Sequence, residues 1–258
     1  MAMNKENEIA SLCKSLRLSS GMSQRAMTLS GETNQDYLIG LLRQEVEARR
    51  ESRIARYIKE AGFPYPESFA DFICDEVEFP DALSYEQCKD LKFHEERKNV
   101  IMYGKTGTGK TMLSICIGLE ACKRDIPVIF CRSASLINRL VEANSQRRLS
   151  ELKNRLNRAQ IIILDEFGYL PYDISGAQLL FDYLSEIHGK KTIILNTNKE
   201  FSDWSNILYD KDMAAALIGR LTHRCYLLLF PGENYRLKNS SISYAGSIKK
   251  NDNESGQK

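Results

Sequence analysis

Residues 100–122 read VIMYGKTGTGKTMLSICIGLEAC. The run opens as a short apolar strand, Val100–Tyr103, and closes as an apolar helical stretch, MLSICIGLEAC. Between them Gly104-Lys105-Thr106-Gly107-Thr108-Gly109-Lys110-Thr111 fits the pattern G-x-x-x-x-G-K-[ST] in the strand–loop–helix context that the pattern requires. Its glycines let backbone N–H groups curl round phosphates where a side chain would stand in the way. The helix N-terminus adds the positive end of its dipole. Lys110 is expected to reach the β- and γ-phosphates, and Thr111 to hold Mg²⁺ through its hydroxyl. The loop reads as a nucleotide site.

Downstream, residues 161–166 read IIILDE, starting 51 residues after Lys110. An aliphatic strand buried between neighbours delivers its last residues to the carboxyl end of a parallel sheet, where ligands bind. Asp165 is therefore expected to bind Mg²⁺ through water, and Glu166 to polarise an attacking water. A protein that only switches or transfers phosphate needs no base there, so the pair predicts ATP hydrolysis. The strand TIILNTN ends in Asn196-Thr197-Asn198. An amide at that exit can orient the same water; Asn198 is the preferred candidate and Asn196 the alternative.

Strands at Val100–Tyr103, Val128–Cys131, Ile161–Leu164, Thr192–Leu195 and Cys225–Phe230 alternate with helical stretches. Such alternation predicts a parallel sheet built from crossover units. Among phosphate-loop classes, a GTPase needs an N-K-x-D guanine reader. The nearest match is Asn198-Lys199-Glu200-Phe201, and Phe201 cannot accept from a guanine edge. An ABC-type signature is missing before the Asp-Glu strand, where the chain has RRLSELKNRLNRAQ. The order of motifs fits an α/β AAA+ P-loop NTPase, with a five-stranded parallel sheet flanked by helices and a small N-terminal helical domain.

The rest of the chain bounds the setting. Of 258 residues, 43% are hydrophobic, and 36 basic residues stand against 34 acidic ones, values of an ordinary globular protein. The longest aliphatic run, Ile161–Leu164, is far short of a membrane span of about 20 residues. The start, MAMNKENEIA, has no apolar signal core, so the protein is expected in the cytoplasm. Seven cysteines with no C-x-x-C pair predict reduced thiols, without a disulfide framework or cysteine zinc site. Residues 1–65 read as the helical domain: Ile9, Leu12, Cys13 and Leu16, then Leu38, Leu41, Leu42 and Val46, recur at helical spacing. The second helix ends in RQEVEARRESRIARYIKE, with six basic and four acidic residues, a solvated face with i,i+4 pairs. Gly62-Phe63-Pro64-Tyr65-Pro66 is the predicted linker. Residues 66–238 form the predicted ATPase domain, and 239–258, polar and poor in apolar residues, the predicted disordered tail.

The sequences GKTGTGKT, IIILDEFGYLP, NTNKEFSDW, AAALIGRLTHRC and GENYRLK together resemble the IstB-like helper ATPases of insertion-sequence transposition, relatives of the DnaC-like helicase loaders. The resemblance runs from about residue 8 to 240. It implies an oligomeric AAA+ ATPase that binds ATP and Mg²⁺, assembles as rings or helices on duplex DNA and activates a transposase. It also implies a site shared between subunits, completed by a neighbour's arginine. Arg220 in IGRLTHR matches the family's position for that finger, with Arg224 as the alternative, and Arg236 in NYRLK resembles the second sensor arginine. A helicase loader, gripping single strands and a replicative helicase, is the alternative function. A DNA-binding scaffold whose nucleotide is structural is a third reading, separated by whether the chain turns over ATP.

Between Arg132 and Arg158 lie seven basic residues, Arg132, Arg139, Arg147, Arg148, Lys153, Arg155 and Arg158, against Glu142 and Glu151. Helices at this position of an AAA+ sheet can line a central channel, so the run is the candidate DNA surface. Basic side chains there would neutralise phosphates without reading sequence. Aromatics are scarce in it, which favours duplex over stacked single strands.

Overall fold

The structure is a computed structural model, which describes residues 34–169, 172–232 and 234–235. The chain divides into two compact units, 1–59 and 60–258. The expected first helix around Ile9–Leu16, the tail 239–258 and Arg236 lie outside the described residues.

In the first unit the described element is helix α1, Asn34–Ala61, which runs on to the boundary. Its charged stretch forms i,i+4 and i,i+3 pairs, Arg49 with a partly covered Glu45 and Arg50 with Glu47, the other three side chains being exposed. Leu42 and Val46, one turn apart, are 57% and 65% exposed. The helix stops at Gly62, whose φ of +75° is costly for a residue with a Cβ.

The second unit alternates helices and strands, with two short helices, α2 (Tyr85–Lys89) and α3 (Lys92–Glu95), preceding β1 (Asn99–Gly104). The order continues α4 (Lys110–Lys123), β2 (Val128–Arg132), α5 (Ser133–Ser145), α6 (Leu149–Leu156), β3 (Ile161–Phe167) and α7 (Ile174–Ile187). It ends with β4 (Thr192–Thr197), a 3₁₀ turn, α8 (Trp204–Leu208), α9 (Lys211–Thr222) and β5 (Cys225–Phe230). The five strands form one sheet in the order β2-β3-β4-β1-β5, every pairing parallel. The expected fold class holds.

Ile161–Leu164 are all fully buried, because helices cover both faces of a parallel sheet and no polar alternation is needed. Burying each such side chain contributes about 1.5–3 kcal/mol, so the four anchor the middle of the sheet. The chain leaves β1 for the far edge at β2, returns through β3 and β4 and finally adds β5 on the other side of β1. That reversal of direction beside β1 is where a crevice opens at the carboxyl ends of the strands. The β5 edge is capped by an antiparallel bridge between Glu78 and Leu229. The six cysteines among the described residues are unpaired thiols. No helix among the described residues is long and apolar enough to cross a membrane.

Candidate active site

The glycine-rich loop joins β1 to α4. Gly107 has φ +82° and Gly109 +98°, and Gly109 is also the N-cap of α4. A Cβ on Gly107 would collide with the side chain of Asn234, and the Tyr235 N–H donates to the Gly107 carbonyl at 3.0 Å. The loop is thus held by the segment that follows β5. Lys110 folds back over it, donating to the carbonyls of Gly104 (2.7 Å) and Lys105 (2.6 Å). Burial pushes the Lys110 amine down to about 8, against the opposing pull of Asp165.

The predicted carboxylates arrive at the same place. Asp165 is 3% exposed and accepts from the Thr111 hydroxyl at 3.0 and 3.2 Å. It also accepts from Asn196 Nδ2 at 2.9 Å. The other end of that amide, Asn196 Oδ1, accepts from the Ser114 hydroxyl at 2.9 Å. Ser114, Asn196, Asp165 and Thr111 therefore form one buried chain of hydrogen bonds joining α4, β4 and β3. Such a network holds its geometry because every unmet buried polar group is costly.

Glu166 is handled differently. Between Leu164↔Leu195 and Phe167↔Thr197 the register slips, so Asp165 and Glu166 together face the single residue Asn196. This is a β-bulge, with Glu166 at φ +55°. Left-handed backbone costs a non-glycine residue about 1–2 kcal/mol and persists only where the surroundings impose it. Three side chains hold the bulge. The Ser133 hydroxyl donates to the Asp165 carbonyl at 3.0 Å, and the Thr197 hydroxyl donates to the Phe167 carbonyl at 2.9 Å. The Tyr172 hydroxyl accepts from the Gly168 N–H at 2.9 Å. In a regular strand, consecutive side chains point to opposite faces. Here the bulge leaves Asp165 inside and Glu166 half-exposed, 3.7 Å from Arg132 Nε, with both lining one cavity.

That cavity has a volume of about 410 Å³, within the range of small-molecule sites. Its walls are the phosphate loop from Thr106 to Thr111, the tips of β3 and β4 with Asp165, Glu166 and Asn198, and an aromatic end including Tyr65, Phe72 and Tyr235. The two candidate amides separate here. Asn196 is buried and commits both ends of its amide, whereas Asn198 is exposed in the cavity wall. For Mg²⁺ the donor chemistry fits: a hydroxyl and a carboxylate, both hard oxygen ligands, stand in contact beside the phosphate loop.

The arginines lie elsewhere. The Leu221 carbonyl accepts from Asn99, the first residue of β1, so the end of α9 sits at the amino end of the sheet. The six residues of β1 thus separate the end of α9 from the phosphate loop, by roughly 20 Å along the strand. Its guanidinium lies 4.9 Å from the centre of the Phe181 ring, and its buried Nη1 has no hydrogen-bond partner. Burial, with His223 and Arg220 nearby, pushes His188 down. Arg224 donates to the Glu96 carbonyl at 2.8 Å.

The basic run falls on α5 and α6, beside the β2 edge. Three of its charges are engaged: Arg132 with Glu166 at 3.7 Å, Arg148 with Glu151 at 2.8 Å and Lys153 with Glu186 at 2.7 Å. Arg139 is half-buried and directed at the Cys131 thiol. Arg147, itself at φ +57° in the α5–α6 corner, and Arg155 are exposed. Sequence reasoning missed Ser114, Ser133, Thr197 and Tyr172. The available signal was position: Ser133, Thr197 and Tyr172 lie within five residues of a strand exit, and Ser114 stands one turn into the helix after the phosphate loop, four residues beyond Lys110.

A parallel sheet in this order, with a phosphate loop after β1 and acidic residues ending β3, defines an AAA+ P-loop ATPase. Solved structures agree on the fold. The AMPPCP-bound DnaA of Aquifex aeolicus superposes with a TM-score of 0.53 at 23% identity, covering 66% of this chain and about half, 51%, of that one. Residues 10–243 match the IstB-like ATP binding protein family, and the chain belongs to that family. The IS21 putative ATP-binding protein of Pseudomonas aeruginosa is 34% identical over 216 residues, 84% of this chain and 81% of its own length. The IS5376 putative ATP-binding protein of Geobacillus stearothermophilus is 30% identical over 207 residues, 80% and 82% of the two chains.

Proposed function

We propose that the chain hydrolyses ATP with Mg²⁺, self-associates on duplex DNA without reading its sequence, and assists a transposase in moving an insertion sequence. In this reading residues 1–65 make the partner and assembly contacts and 66–238 the ATPase domain. Lys110 holds the β- and γ-phosphates, and the amides of residues 104–111 surround them. Thr111 and Asp165 would hold Mg²⁺, which neutralises phosphate charge when bound. Glu166 takes a proton from water as its oxygen attacks the γ-phosphorus, the bond to the bridging oxygen breaks, and ADP and phosphate leave. Asn198 orients that water.

The observation that carries the assembly reading is the separation of Arg220 from its own cavity. An arginine with an unpaired buried nitrogen at one end of the sheet, and a hydrolytic cavity at the other, complement each other between successive copies. A neighbour's Arg220 would then meet charge building on the γ-phosphate in the transition state, with Arg224 the other candidate and Arg236 a second contact from within the chain. Arg139, Arg147, Arg148, Lys153 and Arg155 are the proposed DNA contacts, Arg147 and Arg155 foremost because both are exposed and neither joins the ion pairs above. The transposase rests on the relatives, which are insertion-sequence ATP-binding proteins by name.

The test is binding to fluorescent duplex and single-stranded DNA of equal length, with and without ATP, for the parent and Lys110→Ala, at two salt concentrations. Tight, ATP-dependent duplex binding that weakens steeply with salt is expected. A clear single-strand preference would replace the transposition helper with a helicase loader. No binding in any nucleotide state would remove both.

A further inference from the structure

We infer that Ser133 is the positioning residue that sets the direction of Glu166, by gripping the peptide that joins Asp165 to Glu166. The inference rests on Glu166 being the base, and goes on to say what aims it.

The argument is one of dihedral geometry. The φ of a residue is fixed by the plane of the peptide before it. For Glu166 that peptide carries the Asp165 carbonyl, and the Ser133 hydroxyl donates to that carbonyl at 3.0 Å with both groups buried. Arg132 pairs in register with Asp165 across β2 and β3, so Ser133 is the first residue past the point where the ladder can hold the bulge. The other two bonds, from Thr197 and to Tyr172, act on Phe167 and Gly168, after the strained residue. The Ser133 contact is the side-chain bond that acts on the carbonyl of the peptide defining φ of Glu166. Release of that carbonyl lets the peptide rotate toward the extended backbone that a glutamate prefers. The carboxylate then swings out of the wall it shares with Asn198.

Three measurements test this on the full chain: ATP turnover, nucleotide affinity, and the ¹³Cα chemical shift of Glu166 in selectively labelled, nucleotide-free protein. The last reports backbone conformation without any chemistry. For Ser133→Ala, kcat is expected to fall about tenfold or more, since a misaimed base loses much of its contribution. Nucleotide affinity should stay within about threefold, because the loop is untouched. The Glu166 shift should move toward extended values.

Ser133→Cys keeps the volume and weakens the donor. It should lie between Ser and Ala on both scales, and it decides the matter alone if Ser133→Ala does not fold. Unchanged kcat in both variants would overturn the inference. So would a lower kcat with an unmoved Glu166 shift, or with an equal loss of nucleotide affinity, which would mark a collapsed cavity. Glu166→Gln separates the two levels: if it retains turnover, the base reading fails, while the chemical shift still reports whether Ser133 holds the bulge.

Discussion

Asn196→Asp puts the buried network to a quantitative test. The substitution exchanges one NH₂ group for an oxygen, in a side chain whose Nδ2 stands 2.9 Å from Asp165 Oδ1. A donor facing a carboxylate becomes a second carboxylate. Two unit charges about 4 Å apart repel by about 4 kcal/mol at an effective dielectric near 20, equivalent to roughly 3 units of pKa. The pair escapes by holding one proton between its oxygens, as close carboxylates do. The folded-state pKa is then raised above its unfolded value near 4. The sign follows: the variant is close to parental stability at low pH and loses it as pH rises toward 7. At pH 7 the deficit approaches 4 kcal/mol, a fall of about 8–16 °C in Tm for a chain of this size. At pH 5 roughly 1–2 kcal/mol remains, because each pH unit is worth about 1.4 kcal/mol. Scanning calorimetry of parent and variant at pH 5, 6 and 7, without nucleotide, measures the difference directly. A deficit independent of pH would mean that Asn196 and Asp165 are not in contact, and the network would have to be redrawn.

Other outcomes follow from the same geometry. Glu166→Gln should cut turnover by about 10²–10⁴ while leaving Tm nearly unchanged, because its exposed pairing with Arg132 is worth at most about 1 kcal/mol; an active variant would remove Glu166 as the base. Lys110, with its amine pushed down to about 8, must be charged to hold phosphates, so ATP affinity should be flat below that pH and weaken above it. Calorimetric titration from pH 7 to 9.5 should find a loss of up to about tenfold per unit, absent in Lys110→Arg because guanidinium does not titrate there; a flat parental profile refutes this. Before nucleotide binds, the same depression makes the folded chain gain stability as pH rises from about 8 toward the ordinary lysine value of 10.5. Arg220→Ala and Lys110→Ala should each be inactive alone. Mixed, they should recover up to about a quarter of parental turnover, since random neighbours pair an intact cavity with an intact arginine that often; no recovery would mean that Arg220 does not act across subunits.

The strands were legible because their apolar runs are short, β-branched and separated by helical stretches. The five predicted strands are the five observed. Their ends were less so, for a physical reason. The expected Ile161–Leu164 continues to Phe167 because the bulge spends two residues against one and then resumes pairing with Thr197. Nothing in the letters Asp-Glu-Phe announces a left-handed glutamate, since the contacts that hold that conformation come from Ser133, Thr197 and Tyr172, outside the strand's own letters. The choice between Asn196 and Asn198 shows the same limit: two residues apart in a strand, they share a face, and periodicity treats them alike. Depth distinguishes them. Asn196 still pairs in register with Met102, inside the ladder, while Asn198 lies beyond the strand's end.

Charge is where counting misleads most. The run from Arg132 to Arg158 carries a local excess of basic residues, but Lys153 is matched by Glu186, which lies outside the run and meets it only because α6 and α7 fold together. Arg148 is matched one turn along its own helix. The surface available to a phosphate backbone is therefore narrower than the count, centred on Arg147 and Arg155. If duplex DNA is held there, replacing those two should lower the salt slope of binding by about one charge each. Replacing Lys153 should free Glu186 and weaken binding by adding an unpaired negative charge. That contrast, slope against offset, distinguishes a contact residue from a basic residue that merely lies nearby.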